Sequence, residues 1–447
     1  MTTIIRKTIS VRSVLGRGAA AILASLAFVS HAFAVDIRTV TSDKGITALL
    51  VEDYTVPLVA LAYSFKGGST QDAQGKEGTS ELLTNTLDEG AGEIESQAFQ
   101  ERLKDNGMSY SFNSGYDDFS GSIKALAAEK DEAFELLRLM LNEPRFDDEP
   151  VERMKASRLN GLKRAETNPQ AISAKAFREN VFAGHPYSRP ADGTLETMAT
   201  ITGGDLEDYR KRVFARDNLV IGVVGAISED ELKAALDLVF GDLPEKSQLK
   251  DVPELEIATG GNIHVDFATP QTNIRFAMPG IKRDDEDFFT AYLVNYVLGG
   301  GSFSSRLFEE VRDKRGLAYG VYSYLGTYDA GGIFGAGSAT RADRAQTTVD
   351  IIQAEIKRMA EEGPTAEELE KARKYIAGSY AIANLDTSSK IASVLVAIQE
   401  SDLGIDYIDR RKEYLEAVTL DDAKRVAKEL FSQPITVITV GQKPNAG

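Results

Sequence analysis

The feature that most constrains this 447-residue chain is an order of elements that occurs twice. Strand VALAYSFKGG is answered by TNIRFAMPG, helix ELLTNTLDEGAG by FFTAYLVNYVLGGG, and FQERLKDNGMSYSFNSGYDDFSGSI by FEEVRDKRGLAYGVYSYLGTYDAGGIFGAG. Two helices follow in each half, and NLVIGVVGA is answered by PITVITVGQ. A repeat of about 200 residues, with Gly and aromatic positions in register, points to a duplicated α+β unit. Between the copies, residues 246–261 are polar, carry a proline and lack periodicity, which reads as a linker. The expected domains are 35–245 and 262–447, each an antiparallel-rich sheet covered by helices and together half of a clam shell. The first half is expected to hold helices over 79–89 and 96–104, a strand pair over 109–126, and helices over 130–141 and 148–164. Capping boxes are expected at Ser228 with Glu231 and at Thr365 with Glu368.

The N-terminus reads differently. A basic segment to Arg17 precedes the apolar run Ala19 to Val29, and Ala32-Phe33-Ala34 offers small residues at a cleavage site. Residues 1–34 are therefore expected to be a cleaved signal peptide, and the address periplasmic. The apolar run is too short to span a bilayer, and no later stretch reaches the roughly 20 apolar residues a membrane helix needs. The formal charge is −17, and the leader holds four of the cations, so the rest is more acidic still. Such a balance argues against nucleic acid, which requires a concentrated basic surface. The chain has no cysteine and three histidines, His31, His185 and His264. That excludes a histidine-rich zinc site and a Cys nucleophile, and neither His185 nor His264 sits in a nucleophile context. Both read as structural. The acidic clusters at 283–287 and 147–149 lack the spacing of a calcium loop and read as solvated helix starts.

One stretch gathers the remaining chemistry. Gly299 to Tyr324 opens with a Gly triplet, continues with Phe303, Leu307, Phe308 and Val311 at helical spacing, and hands over to an aromatic strand. Arg312 closes the expected helix and Tyr319 opens the strand. Read from the residues alone, Arg312 is a helix-end cation, Tyr319 a packed aromatic, and Gly299, Gly300, Gly301 and Ser302 a helix C-cap and turn.

The duplication, GKEGTSELLTNTLDEG, GHPYSRPADG and above all GGGSFSSRLFEEVRDKRGLAY resemble the pitrilysin and mitochondrial-processing-peptidase family of inverted-motif zinc peptidases, across essentially all of the chain beyond the leader. In that family a helix carries His-x-x-Glu-His, which binds zinc and activates water. Here Glu81, Thr84 and Asn85 stand at the first His, the Glu and the second His, and the third ligand falls near Asn160-Gly161, where no carboxylate is found. The resemblance thus implies no cofactor in this chain. It also implies a role for Arg312 and Tyr319, whose counterparts in the family reach across to a zinc-bound peptide and its developing oxyanion. Gly299, Gly300, Gly301 and Ser302 would let a substrate backbone approach. The expected function is the non-zinc subunit of a heterodimeric zinc metallopeptidase, inactive alone and working on peptides with a homologous zinc-bearing partner. Two alternatives stay open: a non-catalytic binding or scaffold protein of the same fold, and a self-sufficient peptidase with an unfamiliar metal site.

Overall fold

In the computed structural model, which describes residues 36–443, strands on either side of the 246–261 segment form two separate sheets. The first consists of β1 (Arg38–Thr41), β2 (Thr47–Glu52), β3 (Leu58–Lys66), β4 (Ser109–Ser114), β5 (Asp118–Leu126) and β6 (Leu219–Gly225), in spatial order β1-β2-β6-β3-β5-β4. The second consists of β7 (Gly261–Asp266), β8 (Gln271–Pro279), β9 (Ala318–Tyr328), β10 (Gly331–Arg341) and β11 (Thr436–Gly441), in order β7-β11-β8-β10-β9. The two orders superimpose once β1 is set aside. In each sheet the last strand runs parallel to the first strand of the repeat, β2 beside β6 and β7 beside β11, while the other pairs are antiparallel. The duplication expected from the sequence is therefore a duplication of topology, and the α+β reading holds.

Seven helices carry the argument: α1 (Thr79–Leu83), α2 (Asp148–Ala165), α3 (Pro169–Val181), α4 (Phe288–Asn295), α5 (Ala366–Asn384), α6 (Ser388–Glu400) and α7 (Tyr407–Ala417). Their order again repeats, with α1, α2 and α3 answered by α4, α5 and α6. The third helix of each set crosses over. α6 lies on β6 and β3 of the first sheet, and α3 on β11 and β8 of the second. A side chain at Gly222 would collide with the Ala392 carbonyl and with Leu395, so α6 rests directly on the strand backbone. Gln399 Nε2 donates to Ile221 O at 2.8 Å across the same junction. Reciprocally, Arg275 Nε donates to Ser173 Oγ at 2.9 Å, and Ala176, Phe177 and Val181 share a core with Ala277, Ile333 and Ile438. Tyr187 OH donates to Asp117 and accepts from the Ala330 N–H, which bonds the halves a third time. From Ile37 onward the chain is one compact unit. The 246–261 segment is irregular backbone fastened at both ends: Lys250 exchanges two hydrogen bonds with Gln71, and Leu255 N donates to Ala330 O.

Both capping boxes form as expected, Thr365 with Glu368 and Ser228 with Glu231. Two helices differ from expectation. The one expected over 79–89 stops as α1 at Leu83, because the next three side chains bond back to its carbonyls: Thr84 Oγ1 and Asn85 Nδ2 to Glu81 O, Thr86 Oγ1 to Leu82 O. Hydroxyl and amide groups competing in this way loosen the last turns. The helix expected from Phe303 to Val311 is three short pieces instead: a 3₁₀ turn Ser302–Ser304, one α turn Arg306–Phe308 and a π turn Glu309–Asp313. Ser305 interrupts it with extended backbone and caps the following turn. Leu307, Phe308 and Val311 are buried as the spacing predicts, but Phe303 is 74% exposed. Among the described residues no single helix is long and apolar enough to cross a membrane. The expected leader, 1–34, lies outside the described residues.

Candidate functional site

The segment between α4 and β9 is shaped by its glycines. After α4 the backbone continues into a π turn, Tyr296–Gly300, closed by Gly301 N donating to Tyr296 O at 2.8 Å. A Cβ at Gly299 would sit 2.8 Å from Ser323 N of β9, and one at Gly301 would sit 2.8 Å from Tyr296 O. Gly299 allows close packing of the helix end against the strand, and Gly301 lets the turn close on Tyr296. Ser302 follows with φ +47°, an uncommon left-handed conformation for a side-chain-bearing residue, and lies exposed. Arg306, next along, is buried: it makes two hydrogen bonds of 2.7 Å to Glu368 and one of 3.0 Å to Gly363 O, tying the segment to the start of α5. Burial alone would raise the Glu368 carboxyl, but the Arg306 pair and the Thr365 N–H outweigh it and hold it down at about 2.

Arg312 and Tyr319 meet. Arg312 Nη1 donates to the Tyr319 carbonyl at 3.2 Å, and its guanidinium carbon lies 4.7 Å from the ring centroids of both Tyr319 and Phe308, with Phe303 at 5.6 Å. Three rings thus frame one cation. Tyr319 is 87% exposed, so beyond its contact with Arg312 the side chain faces solvent at the lip of the strand. Behind it opens a cavity of about 470 Å³, walled by Gly316 to Gly320, Tyr322, Arg275 and Ser338. The edge strand β9 is irregular there, with a register shift between Ala318 and Val321. The pair offers a phenol O–H and a permanent cation side by side, a combination suited to hydrogen-bonding a peptide carbonyl or an oxyanion.

The other half of the expected chemistry is occupied by protein. Glu81, Thr84 and Asn85 lie together at the end of α1, where Asn85 Nδ2 donates to Thr84 Oγ1 at 2.7 Å. Facing them from α2 is Arg158, whose Nη2 is 2.8 Å from Glu81 Oε1 and 2.9 Å from Asp192 Oδ1. Burial pushes the Glu81 carboxyl up, and the Arg158 charge opposes it. Asp192 belongs to the GHPYSRPADG loop, which packs on the start of α1 through Arg189: its Nε bonds Glu77 Oε1 at 3.2 Å and its Nη2 the Asp72 carbonyl at 2.7 Å. The two motif loops are therefore one substructure. Among the described residues no group of three His, Asp, Glu or Cys could hold a metal ion. A carboxylate, a hydroxyl and an amide facing a guanidinium do not fit zinc, because the site already contains its own cation. Arg158 was not singled out by sequence, where one Arg among several on an exposed helix face carries no signal. Arg306 escaped notice for the same reason.

Both remaining histidines are hydrogen-bonded within the fold. His185 Nδ1 accepts from Tyr187 N at 3.1 Å, leaving Nε2 to donate to Pro253 O at 2.8 Å, and His264 Nδ1 bonds Thr439 Oγ1 at 3.0 Å. In the acidic clusters Asp287 is paired with Arg425 and Asp147 with Arg145.

Two sheets of matching topology, with Glu81, Thr84 and Asn85 facing Arg158 in the first half and an Arg/Tyr pair in the second, define a duplicated peptidase fold. The chain belongs to the insulinase family, peptidase M16: residues 47–195 match the model of the peptidase family itself and residues 200–376 that of the peptidase M16 inactive domain. Similar proteins include a non-peptidase homologue, YmxG, of Helicobacter pylori, 27% identical over 76% of this chain and 79% of its own length. Another is an uncharacterized zinc protease of the same name from Bacillus subtilis, 25% identical over 92% and 99%. Among solved structures, a peptidase M16 inactive domain from Pseudomonas fluorescens aligns with TM-score 0.86 and 27% identity over 91% of this chain and 98% of that one.

Proposed function

We propose that this chain is the zinc-less subunit of a two-subunit, exported metallopeptidase, and that Arg312 and Tyr319 help bind peptide and stabilise the transition state at a homologous partner's zinc. In this reading residues 1–34 direct export to the periplasm, and 35–245 and 262–447 are two peptidase-like domains joined by 246–261. The observation that carries it is an asymmetry. Glu81, at the position the family gives to a zinc-binding His, is ion-paired to Arg158, whereas Arg312 and the exposed Tyr319 are held together beside an open cavity. In this reading Gly299, Gly300, Gly301 and Ser302 let a substrate backbone approach; they lead directly into Phe303, which lies against Arg312, and Gly300 and Ser302 are exposed.

The test is cleavage of a peptide mixture by this chain together with a partner bearing His-x-x-Glu-His. Arg312→Ala and Tyr319→Phe are each expected to lower kcat/KM by about 10²–10³, the usual loss for one oxyanion donor. Unchanged cleavage in both variants would remove the transition-state role. Stoichiometric zinc and chelator-sensitive cleavage by the isolated chain would overturn the two-subunit reading as well. A second reading, a non-catalytic scaffold, is favoured by the engagement of Arg312 with three rings and a backbone carbonyl. Under it, the same variants weaken assembly and leave turnover per complex unchanged.

A further inference from the structure

The second half has its own helix pair in the place where the first half has α1 and α2. Between α4 and α5, and closed on a third side by α7, lies a cavity of about 280 Å³. Its walls are aromatic: Phe288, Tyr292, Tyr296, Tyr375 and Tyr407 all line it. Phe288 and Tyr292 are stacked at 6.1 Å, and Tyr296 lies 5.5 Å from Tyr375, which is 61% exposed at the rim. Two arginines line the same space. Arg283 packs 4.1 Å from the Phe288 centroid and donates to Tyr407 OH at 3.0 Å. Arg411 is only 7% exposed and lies 4.1 Å from the centroid of Tyr380.

No Asp or Glu lines this cavity, and among the described residues neither arginine has a carboxylate partner. That is unexpected in a chain with 68 acidic and 51 basic side chains, where elsewhere buried arginines such as Arg210 and Arg306 are paired. Arg411 has no hydrogen-bond acceptor among the described residues. A buried cation without a counter-charge is costly unless something supplies the charge. Aromatic faces supply part of it, and two guanidinium groups lining one cavity with aromatic walls supply recognition for the rest. The volume matches a ligand of amino-acid size and is small beside sites for larger molecules.

We infer that the cavity between α4, α5 and α7 is a binding site for a small aromatic carboxylate, its acid group held by Arg283 and Arg411 and its ring laid among the tyrosines. The site is complete within this chain and stands whether or not a zinc-bearing partner exists. Three calorimetric titrations of the purified chain test it: N-acetyl-phenylalanine, the same compound as its C-terminal amide, and inorganic phosphate. The acid is expected to bind at least about tenfold more tightly than the amide, because only a carboxylate completes the two cations, and at least about tenfold more tightly than phosphate, which has no ring. Arg283→Gln and Arg411→Met are each expected to weaken the acid about tenfold or more, with melting temperatures showing that both variants fold. Equal affinity for acid and amide, phosphate binding as tightly as the acid, or unaltered binding in both variants would overturn the proposal. So would the absence of any binding to the unaltered chain.

Discussion

The duplication places α1 with α2 and α4 with α5 in equivalent positions, and the two pairs have taken opposite electrostatic courses. In the first, Arg158 sits among carboxylates: Glu81 and Asp192 both reach it, and the ion pair holds the end of α1 against α2. In the second, Arg411 and Arg283 sit among rings with no carboxylate lining the space. Each helix pair thus has a cation beside it, supplied by α2 in the first half and by α7 and the segment before α4 in the second, self-neutralised in one and left open in the other. A guanidinium within reach of a carboxylate is a fastener, whereas one facing only aromatic surface retains capacity for an anion from outside.

Substitutions can break or sharpen this contrast. The largest effect on stability is expected where the second helix pair meets its sheet. Gly299→Ala would press a methyl group to 2.8 Å from Ser323 N and is expected to cost about 2 kcal/mol in urea unfolding, as overpacking does. Tolerance of alanine would show that the glycine is kept for something other than packing. Next, Arg158→Met strands the partly buried Glu81 carboxylate and is expected to cost about 1–2 kcal/mol, below the range for fully buried pairs because both groups are partly exposed. Arg411→Met removes a buried cation that leaves no carboxylate behind, and is expected to change stability by less than about 0.5 kcal/mol in either direction. Equal costs for the two methionine variants would erase the distinction between fastener and open cation.

Acid titration gives a smaller, signed effect. Glu368 is held well below an ordinary carboxylate, so its pairing with Arg306 stabilises the fold fully above its unfolded value near 4.5. That contribution is lost as pH falls from there toward about 2. Glu368→Gln is expected to flatten the acid limb of the stability curve in this window and to leave the neutral region's slope unchanged. A wild-type acid limb in the variant would mean that Arg306 finds its compensation elsewhere, at the Gly363 carbonyl.

Much of this is legible in the sequence. Apolar runs bounded by turn residues and matched glycine-aromatic registers mark the strands, Leu58–Lys66 among them, which is buried on both faces and so reads as a continuous run of apolar and small residues rather than an alternation. Glu81, Thr84 and Asn85 are legible as three neighbours of one motif, and the structure places them together at the end of α1. What escaped depended on distance along the chain. Arg158 acquires its meaning from Glu81 and Asp192, which lie 77 and 34 positions away. Crossed helices α3 and α6 look like ordinary amphipathic segments, because periodicity shows that a face is buried but not against what. The broken helix at Phe303 was hidden by a spacing that fitted one, and a single serine with extended backbone decided otherwise. The glycines at 299 and 301 carried two readings, and their contacts with Ser323 and Tyr296 account for both positions by packing.

The exchange of α3 and α6 also sets a timetable. The inner strands β3 and β6 are complete once Gly225 has been made, yet the helix that covers them ends at Glu400. At a synthesis rate of about 5–20 residues per second, that interval lasts roughly 10–35 s, during which the first half lacks its covering helix. It cannot finish as an independent module at any moment before the second half exists. Maturation is therefore a single late event for the chain, and cutting the gene between the repeats would yield two polypeptides, each still waiting for the other's helix.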